Sequence, residues 1–197
     1  MSANDIKKTG RTWLTELDLG HFWKSVFWQS IHGLIGAILY GVLSWAFNAF
    51  PMPSMDNIIF RPAVVVLIFF GVAYGPWVGF FVGLVGGAIG GGLAGWDFYW
   101  NWILGAGFIG FVAGMVWSAR ANFRSRRSVM RAVCWGVTGT LLGTLFSSLT
   151  EIFVKGIHIY TALTGYFVPV VIADTMMIVV LLPILMLLFA DIVSRRG

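Results

Sequence analysis

Charge is what this 197-residue chain has least of. Only 11% of its residues are Asp, Glu, Lys or Arg, against 58% hydrophobic, and its mean hydropathy is +0.86. Soluble domains carry roughly 25% charged residues, so a water-exposed globular fold is excluded. Segments of about ten residues with alternating polarity are missing too, which excludes a transmembrane β-barrel. Cys134 is the single cysteine, so no disulfide can form within the chain. No lysine occurs between Lys24 and Lys155, so no glycine loop is followed by a Walker lysine. "GAGFIG", Gly105 to Gly110, spells a dinucleotide fingerprint, but no strand precedes it and it lies inside an apolar run. His21, His32 and His158 lack ligand spacing, and no Ser-His-Asp or HExxH arrangement is present. Neither an enzyme, a cofactor site nor a metal site is expected.

What remains is a series of long apolar runs separated by short polar loops. In lipid, backbone groups must be satisfied within a segment, so these runs read as membrane-spanning helices. Six are expected: about 28 to 50, 62 to 75, 77 to 95, 102 to 118, 132 to 153 and 165 to 193. The second and third together would make one helix of ~50 Å, too long for a core of ~30 Å. Pro76 removes a helix donor and clashes with the preceding turn, so two spans joined by a tight Gly-Pro turn are predicted. The fold class is therefore all-α, a polytopic membrane protein with six transmembrane helices. Residues 1–25 read as a cytoplasmic or interfacial segment, 26–193 as the membrane domain and 194–197 as a cytoplasmic tail. Trp13, Leu14, Leu17, Phe22 and Trp23 suit a short interfacial amphipathic helix or a frayed tail. The first apolar run is too long, and lacks the small-residue site, for a cleaved signal peptide.

The few charges orient the bundle. Of 13 Lys and Arg, 11 lie in three places: Lys7, Lys8, Arg11 and Lys24; Arg120, Arg124, Arg126, Arg127 and Arg131; Arg195 and Arg196. The positive-inside rule puts all three, and hence both termini, in the cytoplasm of a multi-pass protein of the cytoplasmic (inner) membrane. The basic balance then reflects topology, and no nucleic-acid partner is expected. The opposite face receives loops 51–61, 96–101 and 154–164, with Asp56, Asn57, Arg61, Asp97, Asn101, Lys155, His158 and Tyr160. "GWDFYWNW" adds Trp96, Phe98, Tyr99, Trp100 and Trp102. That is denser than an interfacial aromatic belt requires, and aromatic faces with a few fixed polar groups hold flat heterocycles.

Two carboxylates sit where lipid disfavours them. Asp174 is expected near mid-depth of the last span and Glu151 near the outer end of the fifth. Such groups usually face a cavity or a partner. The alternatives are a structural lock for Asp174 and an i,i+4 pair with Lys155 for Glu151. Between residues 71 and 95, glycine recurs at every fourth position: 71, 75, 79, 83, 87, 91 and 95. In lipid that spacing gives a smooth stripe for close approach of another backbone or a ligand.

A short second helix opening with "RP", "GPWVGFFVGLVGG" in the third and "WDFYWNWILGAGFIG" crossing into the fourth resemble the substrate-binding S components of energy-coupling factor (ECF) vitamin transporters. The resemblance covers about 28 to 193, most firmly 60 to 115. It implies capture of a vitamin or related aromatic heterocycle, such as riboflavin or a thiamine-like pyrimidine. Its partner would be an energising module of one membrane (T) subunit and two ATPases, against which the small protein topples to release its cargo inside. Asp97, Trp100, Asn101 and Asp174 would fix the ligand, with Arg61, Glu151 and His158 as secondary candidates. In that family small residues four apart on the first helix slide against the T subunit; here Gly33, Ala37 and Gly41 make that stripe. Members that carry nickel or cobalt have a histidine beside the initiator, and Met1, Ser2, Ala3 depart from that. The alternative is a non-transporting membrane scaffold or assembly factor with the same bundle; an intramembrane enzyme ranks third.

Overall fold

A computed structural model describes residues 19–47, 61–95, 98–116 and 123–195, with side chains in the first stretch from residue 26 onward. Every regular element among them is helical. These are α1 (Leu19–Phe47), α2 (Val64–Tyr74), α3 (Pro76–Leu93), α4 (Trp100–Gly114), α5 (Arg126–Lys155), the three-residue α6 (Ile159–Thr161), a π-helical turn (Ala162–Phe167) and α7 (Val168–Ser194). Four stretches are long and apolar enough to cross a membrane: Val26–Phe47, Pro76–Leu93, Arg126–Lys155 and Ile159–Ser194. α2 and α4 are shorter apolar helices of 11 and 15 residues. The six expected runs are thus all helical, and the last begins near Ile159 rather than Gly165.

The break between the second and third runs falls where proline places it. α2 ends at Tyr74, and the Gly75 N–H donates to the Gly71 carbonyl at 2.8 Å. Gly75 takes φ 109°, ψ 168°, open only to a residue without a side chain. Pro76 then occupies the first helical position, where its missing donor costs nothing. A single residue reverses the chain.

The glycine ladder divides between two neighbours. A Cβ on Gly79 would collide with the Gly110 carbonyl, and one on Gly83 with that of Ala106, so this face packs α3 backbone to backbone on α4. A Cβ on Gly86 would lie 2.7 Å from the Ala37 carbonyl and one on Gly90 3.1 Å from that of Gly41, so the other face packs on α1. Only Gly91, Gly92 and Gly95 meet nothing. Most of the ladder is therefore helix packing, the use lipid favours for small residues.

One end of the bundle is closed by rings. Phe189 of α7 meets Phe69 at 5.2 Å, Phe123 at 5.6 Å and Tyr74 at 6.5 Å between centroids, and His32 stacks on Tyr74 at 4.2 Å. Beside them Asp191 holds two cations, Arg124 Nη2 on Oδ1 and Arg195 Nη2 on Oδ2, both at 3.0 Å. Two of the three positively charged stretches therefore share one end, as the charge asymmetry predicts.

Candidate functional site

The opposite end is built on α5. Thr140, Thr144, Ser147, Ser148 and Glu151 are spaced 4, 3, 1 and 3 apart, which puts them on one helical face, and all five are buried. A polar stripe in a spanning helix must face protein, since lipid offers no hydrogen bonds. Close approach of α4 brings partners to it, because Gly139 and Gly143 of α5 sit against the carbonyls of Ile109 and Gly105.

Glu151 is the hub. Asn101 Nδ2 donates to Glu151 Oε1 at 3.2 Å and to the Ser147 carbonyl at 3.3 Å. The Trp102 indole N–H donates to the same Oε1. Lys155 Nζ lies 3.3 Å from Oε2; the contact is an ion pair without hydrogen-bond alignment, since Oε2 has no directed bond among the described residues. Lys155 also sits 5.0 Å from the Tyr99 ring centroid and 5.2 Å from that of Tyr166, within cation–π range. The Trp102 and Tyr166 rings are 6.3 Å apart. Tyr166 belongs to the π-helical turn, a local widening of the helix often found at functional sites.

A second charged group lies deeper. A Cβ on Gly136 would meet both Ile68 of α2 and Ile178 of α7, at 3.1 and 3.3 Å. Because α5 and α7 run antiparallel across the short 156–158 connection, Asp174 stands level with Thr140, one turn further on. Asp174 is 1% exposed and roughly 20 Å along its helix from Ile159. Arg61 precedes the short α2, so it enters the bundle at a similar depth; its Nη2 donates to Tyr40 Oη at 3.4 Å, and it lies within electrostatic reach of Asp174. Asp174 Oδ2, Thr140 Oγ1, Ser148 Oγ and Asn101 Oδ1 are buried without a hydrogen-bond partner among the described residues. From Thr140 to Glu151 the stripe measures ~16 Å.

The sequence-derived residues separate accordingly. Asn101 and Glu151 belong to the hydrogen-bonded hub, while Arg61 and Asp174 form a second group within electrostatic reach of one another. Trp100 joins neither: it follows the turn to the outside and is 43% exposed while Asn101 beside it is fully buried. His158 is exposed at the start of α6, away from the buried network. Asp97 lies outside the described residues. The Gly33, Ala37 and Gly41 stripe is covered by the chain itself. Ala37 is fully buried, a Cβ on Gly33 would meet Phe81, and one on Gly41 would meet Ile89, all from α3 or facing it. A partner helix cannot reach that face in this packing, because the small residues that would admit it admit α3 instead. Sequence reasoning placed Tyr99, Trp102 and Lys155 at this end without grouping them, and missed Tyr166 and the α5 hydroxyls. The latter had a signal, polar residues at helical spacing in "TGTLLGTLFSSLTE". No three His, Cys, Asp or Glu side chains converge among the described residues in a way that would hold a metal ion.

The family model for the S component of ECF-type riboflavin transporters matches residues 23–191. A UPF0397 protein of Aliivibrio salmonicida (strain LFI1238) is 42% identical over 81 residues, 41% of this chain and 43% of that protein. The match therefore spans less than half the length of that curated relative. No solved structure matches. With the family match running through every helix from α1 to α7, the chain belongs to the S-component family of ECF-type riboflavin transporters.

Proposed function

We propose that the protein captures a flat, vitamin-like heterocycle at its Glu151 end, facing outside, and delivers it inward with an ATP-driven energising module. Riboflavin, the substrate in the family's description, is the first ligand to test. The observation that carries this reading is the set of buried polar atoms Asn101 Oδ1, Ser148 Oγ, Thr140 Oγ1 and Asp174 Oδ2, none with a hydrogen-bond partner among the described residues. An unsatisfied buried polar group costs on the order of 1–3 kcal/mol, so four of them favour a ligand that satisfies them. The Tyr99, Trp102 and Tyr166 rings beside the hub offer faces on which a heterocycle stacks. At the other end the rings packed around Phe189 would lie on the inward side in this reading, so release would require movement of the whole bundle or of that packing.

The partner would be a T subunit with two ATPases. Since Gly33, Ala37 and Gly41 are covered, docking falls to faces other than that stripe. Purified protein should quench riboflavin fluorescence with a saturable, one-to-one dependence, and native mass spectrometry should find the same ligand retained. Protein that stays empty with riboflavin and with thiamine-like pyrimidines would favour a non-transporting scaffold.

A further inference from the structure

We propose that Arg126, Arg127 and Arg131, at the Asp191 end of the bundle, seat the headgroup of an acidic phospholipid. Three carboxylates lie among the described residues, and none is left for these cations. Glu151 holds Lys155, Asp174 is buried inside the bundle, and Asp191 is shared by Arg124 and Arg195. All three arginines are exposed and make no ion pair among the described residues.

The direction they face decides the partner. Arg127, Met130, Arg131, Cys134, Thr138 and Leu141 are spaced 3, 1, 3, 4 and 3 apart, on one helical face, and every one is exposed. Arg126 flanks the same corner. Toward the middle of α5 this face carries the marks of lipid contact. Leu141 is open, and the Thr138 hydroxyl donates back to the Cys134 carbonyl at 2.9 Å, which satisfies it where no water reaches. No charge occurs from residue 132 to 150, a rise of ~29 Å that matches the ~30 Å hydrocarbon core. Arg131 therefore stands where hydrocarbon gives way to headgroups, with Arg127 one turn (~6 Å) further out. Met130, 62% exposed, lies between them and meets acyl chain. A guanidinium fork matches two phosphate oxygens, and its apolar stem lies along the helix face to bring it there. A soluble acidic protein would meet groups projecting off the end of the bundle; these project sideways, from a stripe continuous with the lipid face. The positive-inside rule explains on which side the arginines lie, and an acidic headgroup explains why none needs a carboxylate of the chain.

The test titrates the purified full chain in nonionic detergent with dioleoylphosphatidylglycerol or dioleoylphosphatidylcholine, which share their tails, and counts bound lipid by native mass spectrometry. The acidic lipid should bind at least ~10-fold more tightly at low salt, and the preference should shrink as salt rises. Arg127→Gln combined with Arg131→Gln should cost about 5-fold per arginine in affinity for the acidic lipid and leave the zwitterionic lipid unchanged. Arg127→Lys with Arg131→Lys should keep most of the preference, since the charge remains. Where the double glutamine variant does not fold, judged by its thermal transition, Arg131→Gln alone serves. Equal binding of the two lipids overturns the proposal, as does a preference unchanged in the glutamine variants that fold. Displacement of the acidic lipid by a polyglutamate peptide of equal affinity would assign the arginines to an acidic protein segment and overturn it too. Riboflavin has no part in the readout, so this proposal and the flavin reading fail separately.

Discussion

The two ends of the bundle spend their aromatic residues differently. At the Asp191 end rings pack on rings: Phe69, Phe123, Tyr74 and Phe189 interlock within 6.5 Å, and ion pairs stay on the surface around Asp191. At the Glu151 end rings surround charge: Tyr99 and Tyr166 face Lys155, and Trp102 donates to a carboxylate that is fully buried. The first arrangement gains from burial alone and asks nothing of a ligand. The second places polar groups in a low-dielectric setting where partial satisfaction is costly. A ring-packed end and a charged end can thus be told apart by what the aromatic side chains touch.

Substitutions at each end should separate stability from recognition. Phe189→Ala removes the ring at the centre of that packing, and loss of a packed phenyl costs about 3–5 kcal/mol in full burial. Because Phe189 is only partly buried, a loss near ~3 kcal/mol is expected, read as a lower unfolding temperature in detergent. Riboflavin affinity of the folded fraction should not change. A large affinity loss would show that the ring packing and the site are one unit.

Asn101→Ala should do the reverse. It deletes the amide that donates to Glu151 and offers a free Oδ1, a change of roughly 1–3 kcal/mol, or about 5- to 150-fold in ligand affinity. The variant must first be shown to fold by its thermal transition. Folded Asn101→Ala that binds riboflavin as tightly as the unaltered chain would remove Asn101 from the site. The smallest effect is expected at Trp100→Ala: the ring points away from the buried line, so affinity should move by less than ~2-fold, within the error of surface substitutions. A tenfold loss there would mean that the loop before α4 folds over the ligand.

Much of the architecture is legible in sequence because hydropathy and proline act locally. Pro76 ends one helix and starts another, and the apolar runs mark all six main helices. The i,i+4 spacing of Glu151 and Lys155 gives their pair directly. Rotational phase is harder. Trp100 and Asn101 are neighbours in sequence, yet ~100° of helical turn sends one outward and the other into the core. The small residues 33, 37 and 41 fit α3 as well as they would fit a partner, and small-residue spacing carries no label for which neighbour comes. Arg61 comes within electrostatic reach of Asp174 through tertiary packing that no local pattern encodes. The α5 hydroxyls were visible as a stripe but are readily passed over, since Ser and Thr are common at packed helix contacts in membranes.

The one-residue joint at Gly75 also bears on how the chain enters the membrane. α2, at 11 residues, is ~16 Å long, about half the hydrocarbon thickness, so the insertion machinery has little in it to recognise as a separate span. Hinged at Gly75 to the 18-residue α3, it would enter as one arm of a hairpin, with the longer arm supplying the hydrophobic drive for both. In such a hairpin Arg61, three residues before α2, would enter with the short arm and not alone.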